Sequence, residues 1–319
     1  MNGHGIAILL STYNGEKFLR AQLDSLWAQT TQDFVVLARD DGSADGTAQI
    51  LAEEARNRPG RLVVVDSEGG RMGPMRSFAT LLGQCDAEYI AFCDQDDVWE
   101  RDKLERFRDA IREQEAVSGA TTAILCCSDV VVTDVNLQVT APSYFGKHRI
   151  QTGPDGAPLA RLIFRNFAIG ASTMINRALR DLALPIPEQA VMHDWWLALI
   201  AQSLGRVVVL PGSSMRYRQH GRNAIGSKAR RLPRSISQVR ADWNWSTTSA
   251  ARCIRQAAVL YETYGKLMND GDRTLLARFQ SFPSSGPMGR LMVMLKSRAF
   301  KPSFALNTVH LLACATAKI

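Results

Sequence analysis

The chain has 319 residues, with 38 Lys and Arg against 31 Asp and Glu and a formal net charge of +7. That length suits one large α/β domain with an appendage, and no stretch reaches the roughly 20 consecutive apolar residues a membrane-spanning helix needs. The cysteines Cys85, Cys93, Cys126, Cys127, Cys253 and Cys314 form no C-x-x-C pair, which argues for buried thiols in a reducing compartment and against a disulfide framework or a zinc site.

Taken in order, Ile6–Leu10 is a short, continuous apolar run, as expected of a parallel strand buried on both faces. A polar turn, Ser11-Thr12-Tyr13-Asn14-Gly15, follows it. Phe18, Leu19, Leu23, Leu26 and Trp27 then recur at helical spacing. Phe34–Ala38 reads as a second strand, ending in Arg39-Asp40-Asp41-Gly42-Ser43. Thr47–Asn57 reads as a helix with Asp45 as its cap. Leu62–Val65 is a third strand, and a glycine-rich turn over residues 69–74 leads into a helix around Phe78–Leu82.

A fourth strand begins at Tyr89 and runs into Cys93-Asp94-Gln95-Asp96-Asp97-Val98-Trp99. Three carboxylates in four residues repel one another unless something positive sits against them. A hard divalent cation with oxygen ligands, itself bound to a diphosphate, is a suitable partner. The helix predicted next spans Trp99–Glu115, with Asp97 able to cap it. This βαβα alternation predicts an α/β fold with a mostly parallel sheet, helices on both faces and a ligand site at the strands' C-terminal edge. No G-x-G-x-x-G or G-x-x-x-x-G-K-[ST] is present, against both a dinucleotide site and a P-loop.

Beyond the fourth unit, Ala123–Cys127 reads as a strand, and residues 138–158 as the longest loop. Phe167–Ile175 reads as a strand interrupted by Gly170, and Val207–Leu210 as another. His193-Asp194-Trp195-Trp196 opens an apolar helix. From Arg216 to Arg240 there are eight Lys and Arg and no acidic residue. Residues from about 241 onward have helical apolar spacing and no catalytic cluster.

Four pieces in this order resemble the family 2 glycosyltransferases of GT-A (Rossmann-like) fold: Ser11-Thr12-Tyr13-Asn14, Asp40-Asp41-Gly42-Ser43, Asp94-Gln95-Asp96-Asp97 and His193-Asp194-Trp195-Trp196. The Asp-Gln-Asp-Asp-Val-Trp form, with Tyr217-Arg218-Gln219-His220-Gly221-x-Asn223, is most similar to the rhamnosyltransferase-like branch. The resemblance implies an inverting, metal-dependent transfer from a nucleotide-sugar donor to a saccharide or lipid-linked saccharide acceptor in bacterial cell-surface polysaccharide synthesis, lipopolysaccharide included. The donor it favours is dTDP-rhamnose, with UDP-hexoses as the alternative.

It also implies roles for residues. Thr12, Tyr13, Asn14, Asp40, Asp41 and Asp94 would bind the nucleotide. Asp96 and His220 would hold Mn²⁺ or Mg²⁺, and Arg218 and Arg222 the phosphates. Asp194 would be the catalytic base, while Gly170, Trp195 and Trp196 would face the acceptor. His193 stands where many members carry Glu, and its role is open. The catalytic domain would span 1–225 and a basic, mainly helical extension 226–319.

Two other readings compete. A nucleotidyltransferase would show a glycine-rich basic loop after the first strand, where this chain has Ser11–Gly15 and only Lys17 nearby. A nucleic-acid partner is suggested by the basic run, yet the carboxylate clusters would repel a phosphate backbone, and none is expected. The N-terminus lacks a basic segment leading into an apolar one, so a cytoplasmic location is expected rather than secretion. The basic run, and the apolar Leu291, Met292, Met294 and Leu295 flanked by basic residues, point to the inner membrane surface as a docking site.

Overall fold

The computed structural model describes residues 5–65, 70–220, 236–297 and 304–317. Its centre is a nine-stranded mixed sheet. β1 (Ile6–Thr12), β2 (Phe34–Asp40), β3 (Leu62–Val64) and β4 (Tyr89–Asp94) run parallel in the order β3-β2-β1-β4. β1 and β2 are buried almost throughout, which is why the sequence shows unbroken apolar runs there. Helices α1 (Glu16–Trp27), α2 (Thr47–Asn57) and α3 (Pro74–Gln84) connect these strands. The cap position of α2 is Gly46 rather than Asp45, which stands one residue earlier and accepts the Thr47 N–H at 3.1 Å through Oδ1.

The second half of the sheet departs from the simple alternation. Val98–Trp99 forms a short strand, β5, antiparallel to β9 (Arg206–Arg218), and α4 begins only at Lys103 and ends at Ser118. Asp97 therefore caps nothing; it is fully buried and accepts the Arg218 N–H at 3.0 Å. β6 (Ile124–Thr133) pairs parallel with β9 and antiparallel with β8 (Thr173–Asn176), which in turn lies antiparallel to β4. The expected strand from Phe167 begins late because Gly170–Ser172 forms a 3-10 turn. Inside the expected loop 138–158 stand β7 (Val139–Ala141), paired with β6, and helix α5 (Tyr144–His148). α6 (Leu159–Leu162) and α7 (Arg177–Ala183) are short, and α8 (His193–Leu204) packs into the core.

Beyond β9 come helices α9 (Ile236–Tyr264), α10 (Asp270–Gln280), α11 (Pro287–Ser297) and α12 (Phe304–Thr316). Ile254, Ala257 and Leu260 of α9 belong to the same hydrophobic core as Trp196, Leu197 and Ile200 of α8. The Tyr264 hydroxyl donates to the Leu182 carbonyl at 2.6 Å. The boundary expected at 225 lies outside the described residues. All six cysteines are buried and outside disulfides, and among the described residues no helix is long and apolar enough to cross a membrane.

Candidate active site

The parallel pairing puts the polar ends of three strands side by side. Thr12 is in register with Asp40, and Ser11 with Asp94. Thr12 Oγ1 donates to Asp40 Oδ1 at 2.8 Å, and Asp40 also accepts the Ser43 N–H and hydroxyl at 2.8 and 2.6 Å. Asn14, at a φ of +48°, uses its N–H to reach Ser43 Oγ at 2.8 Å, and its Oδ1 accepts the Ala44 N–H at 2.8 Å. The turns after β1 and β2 are thus one hydrogen-bonded unit.

Asp41 organises the turn before α3. It pairs with the buried Arg39 at 2.8 Å and accepts the N–H groups of Met72 and Gly73 at 2.7 and 2.8 Å. Burial alone would push its carboxyl up, but the bonds from Met72, Arg39 and Gly73 outweigh it and hold the group below the usual carboxylate range. Tyr13 lies under the Arg71 guanidinium, 4.1 Å from its ring centroid. Its backbone is clasped by Gln95, whose Oε1 accepts the Tyr13 N–H at 2.8 Å and whose Nε2 donates to the Tyr13 carbonyl at 2.9 Å. A Cβ on Gly15 would come within 2.1 Å of Gln95 Oε1, so any larger residue there would push the Gln95 side chain aside. Gln95 and Arg71 are additions to the sequence-based site; the central Gln of Asp-Gln-Asp-Asp was the available signal.

At the end of β4, Asp96 Oδ2 lies 2.7 Å from His220 Nε2, and the His220 ring stacks on Phe18 with centroids 5.0 Å apart. An oxygen and a nitrogen donor side by side suit a divalent cation. Among the described residues no group of three or more His, Cys, Asp or Glu gathers as a metal cage. An ion here would complete its shell with diphosphate oxygens and water, as Mg²⁺ and Mn²⁺ do at phosphate sites, so the residues fit the group. Arg218 braces the loop from behind: its Nε donates to the Asp96 carbonyl at 2.8 Å, and its guanidinium lies 4.7 Å from the Phe18 centroid. Arg222, the second expected phosphate contact, lies with most of the basic run outside the described residues.

Asp194 stands in the first turn of α8, 6% exposed. Its Oδ2 accepts the Gly170 N–H at 2.9 Å and its Oδ1 the Trp195 N–H at 2.6 Å. Burial pushes its carboxyl up to about 7 despite those two bonds. Asp94 is also raised to about 7, first by burial and then by the charges of Asp96 and Asp194. A Cβ on Gly170 would lie 3.2 Å from both Asp194 Oδ2 and His193 Nε2.

His193 is buried between Phe78 and Phe92, with ring centroids at 4.2 and 4.9 Å. Burial lowers its pKa to about 3, so the ring is neutral. Trp195 is half-buried and donates its indole N–H to the Leu162 carbonyl at 2.6 Å. Trp196 corrects the expectation of an acceptor contact: it is 1% exposed and packs on Tyr264 inside the core.

The model of the glycosyl transferase family 2 matches residues 7–160. A dTDP-rhamnosyl transferase, RfbG, from Shigella flexneri is 27% identical over 228 residues, 68% of this chain and 74% of its own. Among solved structures, residues 1–349 of TarS from S. aureus, in complex with UDP-GlcNAc, match with a TM-score of 0.55 at 17% identity, over 98% of this chain and 90% of that one. The mannosyltransferase PcManGT from Pyrobaculum calidifontis, in complex with GDP-Man and Mn²⁺, matches with a TM-score of 0.56 at 17% identity, over 99% and 88%. The chain thus has the GT-A fold, matches the glycosyl transferase family 2 model through residues 7–160, and is similar to a dTDP-rhamnosyl transferase over 68% of its length.

Proposed function

We propose that the protein is a metal-dependent, inverting glycosyltransferase that uses a pyrimidine nucleotide donor, dTDP-rhamnose ahead of a UDP-hexose, and builds a bacterial cell-surface polysaccharide such as lipopolysaccharide. The observation that carries this reading is that β4 ends in Asp94 and leads to the Asp96–His220 pair, while β8, antiparallel to β4, starts from the turn whose Gly170 N–H binds Asp194. The rhamnosyl transferase relative supports the choice of sugar.

In this reading Thr12, Tyr13, Asn14, Asp40 and Asp41 form the nucleotide pocket, and Asp94 binds the ribose side of the donor. Asp96 and His220 would hold Mn²⁺ or Mg²⁺, which, when bound, neutralises charge on the departing nucleoside diphosphate. Arg218 keeps the Asp96 backbone in place, and Arg222 is the proposed further phosphate contact. Asp194 takes the proton of the acceptor hydroxyl as it attacks the anomeric carbon. Direct attack from the face opposite the leaving group inverts that centre. The bonds from Gly170 and Trp195 orient the carboxylate while leaving lone pairs for the acceptor. Gly170 keeps the approach to Asp194 open, and Trp195 borders the acceptor side.

The enzyme would work in the cytoplasm at the membrane surface, where a lipid-linked acceptor lies, and with no nucleic-acid partner. Support comes from α11, which exposes Met288 at 71%, Met292 at 45% and Leu295 at 43%, a single helical face, beside the exposed Lys296. Met294 is buried and takes no part. Binding of a panel of sugar nucleotides in the presence of Mn²⁺ or Mg²⁺ tests the donor assignment. Tightest binding is expected for a dTDP or UDP sugar, and tighter binding of GDP than of UDP or dTDP would overturn the pocket.

A further inference from the structure

Lys103 is a buried basic side chain behind the carboxylates of the β4 loop. It occupies the first turn of α4, whose Glu105, Asp109, Arg112 and Glu113 face solvent, yet it is 1% exposed. A buried ammonium loses its hydration, and a Leu or Met would fill the same space without that penalty. Burial lowers its pKa to about 7, against the opposing influence of Cys93, Asp97 and Asp94.

Its surroundings connect the two halves of the site. The ammonium lies 3.5 Å from the centroid of the Trp99 ring, just past the carboxylate loop, and 3.7 Å from Met215 Sδ of β9. It also donates to the Ala171 carbonyl. Ala171 is the middle residue of the 3-10 turn whose first member, Gly170, gives its N–H to Asp194 Oδ2 at 2.9 Å. A second buried anchor holds the same turn. Ser172 Oγ lies 3.0 Å from Ser128 Oγ and 2.9 Å from Ser214 Oγ, and all three serines are fully buried. A turn fixed twice from below by polar groups is a rigid platform for what stands on it.

We propose that Lys103 is a positioning residue for the base: by holding the Ala171 carbonyl against the Trp99 strand, it fixes the turn whose Gly170 N–H sets the orientation of Asp194. The inference rests on the reading of Asp194 as the base. Lys103 touches neither donor nor acceptor, so its effect runs through Asp194 and falls on turnover rather than on donor binding.

The test compares Lys103→Met, Asp194→Asn and the double variant in the full-length chain, with folding checked by circular dichroism and thermal melting. Binding of UDP and dTDP with Mn²⁺ is measured alongside nucleoside diphosphate release from the donor that the panel identifies. Small misplacements of a catalytic group lower rates strongly, so Lys103→Met should lower kcat about 10-fold or more while leaving nucleotide affinity within about twofold. In the Asp194→Asn background it should lower kcat less than about twofold further, because residues acting through one another are not additive. Ser172→Ala, a lighter change to the same turn, should show the same dependence on Asp194 even if Lys103→Met folds poorly. A normal kcat for folded Lys103→Met, or a full additional loss in the double variant, overturns the inference and spares the reading of Asp194. Normal turnover by Asp194→Asn overturns both.

Discussion

Asp96 and His220 lie 124 residues apart in the chain, yet their side chains meet at 2.7 Å. β5 and the last residues of β9 bring them together. Val98 pairs with Arg216, and the Asp97 carboxylate takes the N–H of Arg218, two residues before His220. Removal of either partner should show in metal dependence. Asp96→Ala is expected to abolish transfer without unfolding the chain. His220→Ala should raise the Mn²⁺ concentration for half-maximal rate about 10-fold or more, in line with the loss of one ligand or of its orienting partner. Titration of activity with Mn²⁺ after chelation checks both. Full wild-type activity in excess chelator would reject metal dependence.

Asp194→Asn keeps shape and hydrogen bonding but cannot accept a proton, so kcat should fall about 10²-fold or more while donor affinity stays near that of the wild type. The pH profile gives a second signature. The Asp194 carboxyl is pushed up to about 7 by burial, and only its ionised form can act as base, so kcat should rise with pH through about 7. Stability runs the other way. Between its ordinary carboxylate range and about 7 the folded protein holds a proton that the unfolded chain has released, so stability declines as pH rises across that window. Asp194→Asn should flatten the activity limb and remove this carboxyl's share of the pH dependence of melting, leaving the opposing shares of Asp94 and His193. A wild-type kcat independent of pH from 5 to 8 would count against a buried carboxylate base.

Gly15→Ala tests the clasp between Gln95 and Tyr13. The added methyl would meet Gln95 Oε1 at 2.1 Å, which displaces the side chain that holds the Tyr13 backbone. The expected result is a rise in donor KM of about 10-fold, on the order of the loss of one or two positioning hydrogen bonds, with a smaller change in kcat. Initial rates at varied donor concentration would show it, and an unchanged KM would remove the clasp from the account of the nucleotide pocket.

Membrane docking through α11 predicts co-sedimentation with anionic vesicles at low salt and its loss on adding salt. Met288→Ser with Leu295→Ser should reduce vesicle binding without lowering the melting temperature, because both side chains are exposed. Equal, negligible binding to neutral and anionic vesicles would dismiss the docking surface.

The parts of this site visible in the sequence are those where local pattern and burial coincide. β1, β2 and β4 are covered on both faces, so each is an apolar run ending abruptly in polar residues. The carboxylates fall at those ends and mark the site directly. Lys103 was hidden because it sits in a helix rich in charged residues, where a lysine ordinarily faces solvent; only the packing of Trp99, Ala171 and Met215 around it makes it internal. β9 was half legible: Val207–Leu210 carries the apolar signal, while Pro211-Gly212 interrupts it and the register with β6 shifts there. Trp196 misled for the opposite reason. Its neighbour Asp194 drew it toward the site, whereas its place in α8 turns its ring to the core.

The most direct test of glycosyl transfer is release of nucleoside diphosphate from dTDP-rhamnose and UDP-hexoses, with and without Mn²⁺, by the wild type, Asp96→Ala and Asp194→Asn. Mn²⁺-dependent release by the wild type from a pyrimidine sugar nucleotide, lost in Asp96→Ala and cut about 10²-fold in Asp194→Asn, is the predicted result. Equal release by all three proteins, or turnover of a GDP sugar in preference to any dTDP or UDP sugar, would contradict it.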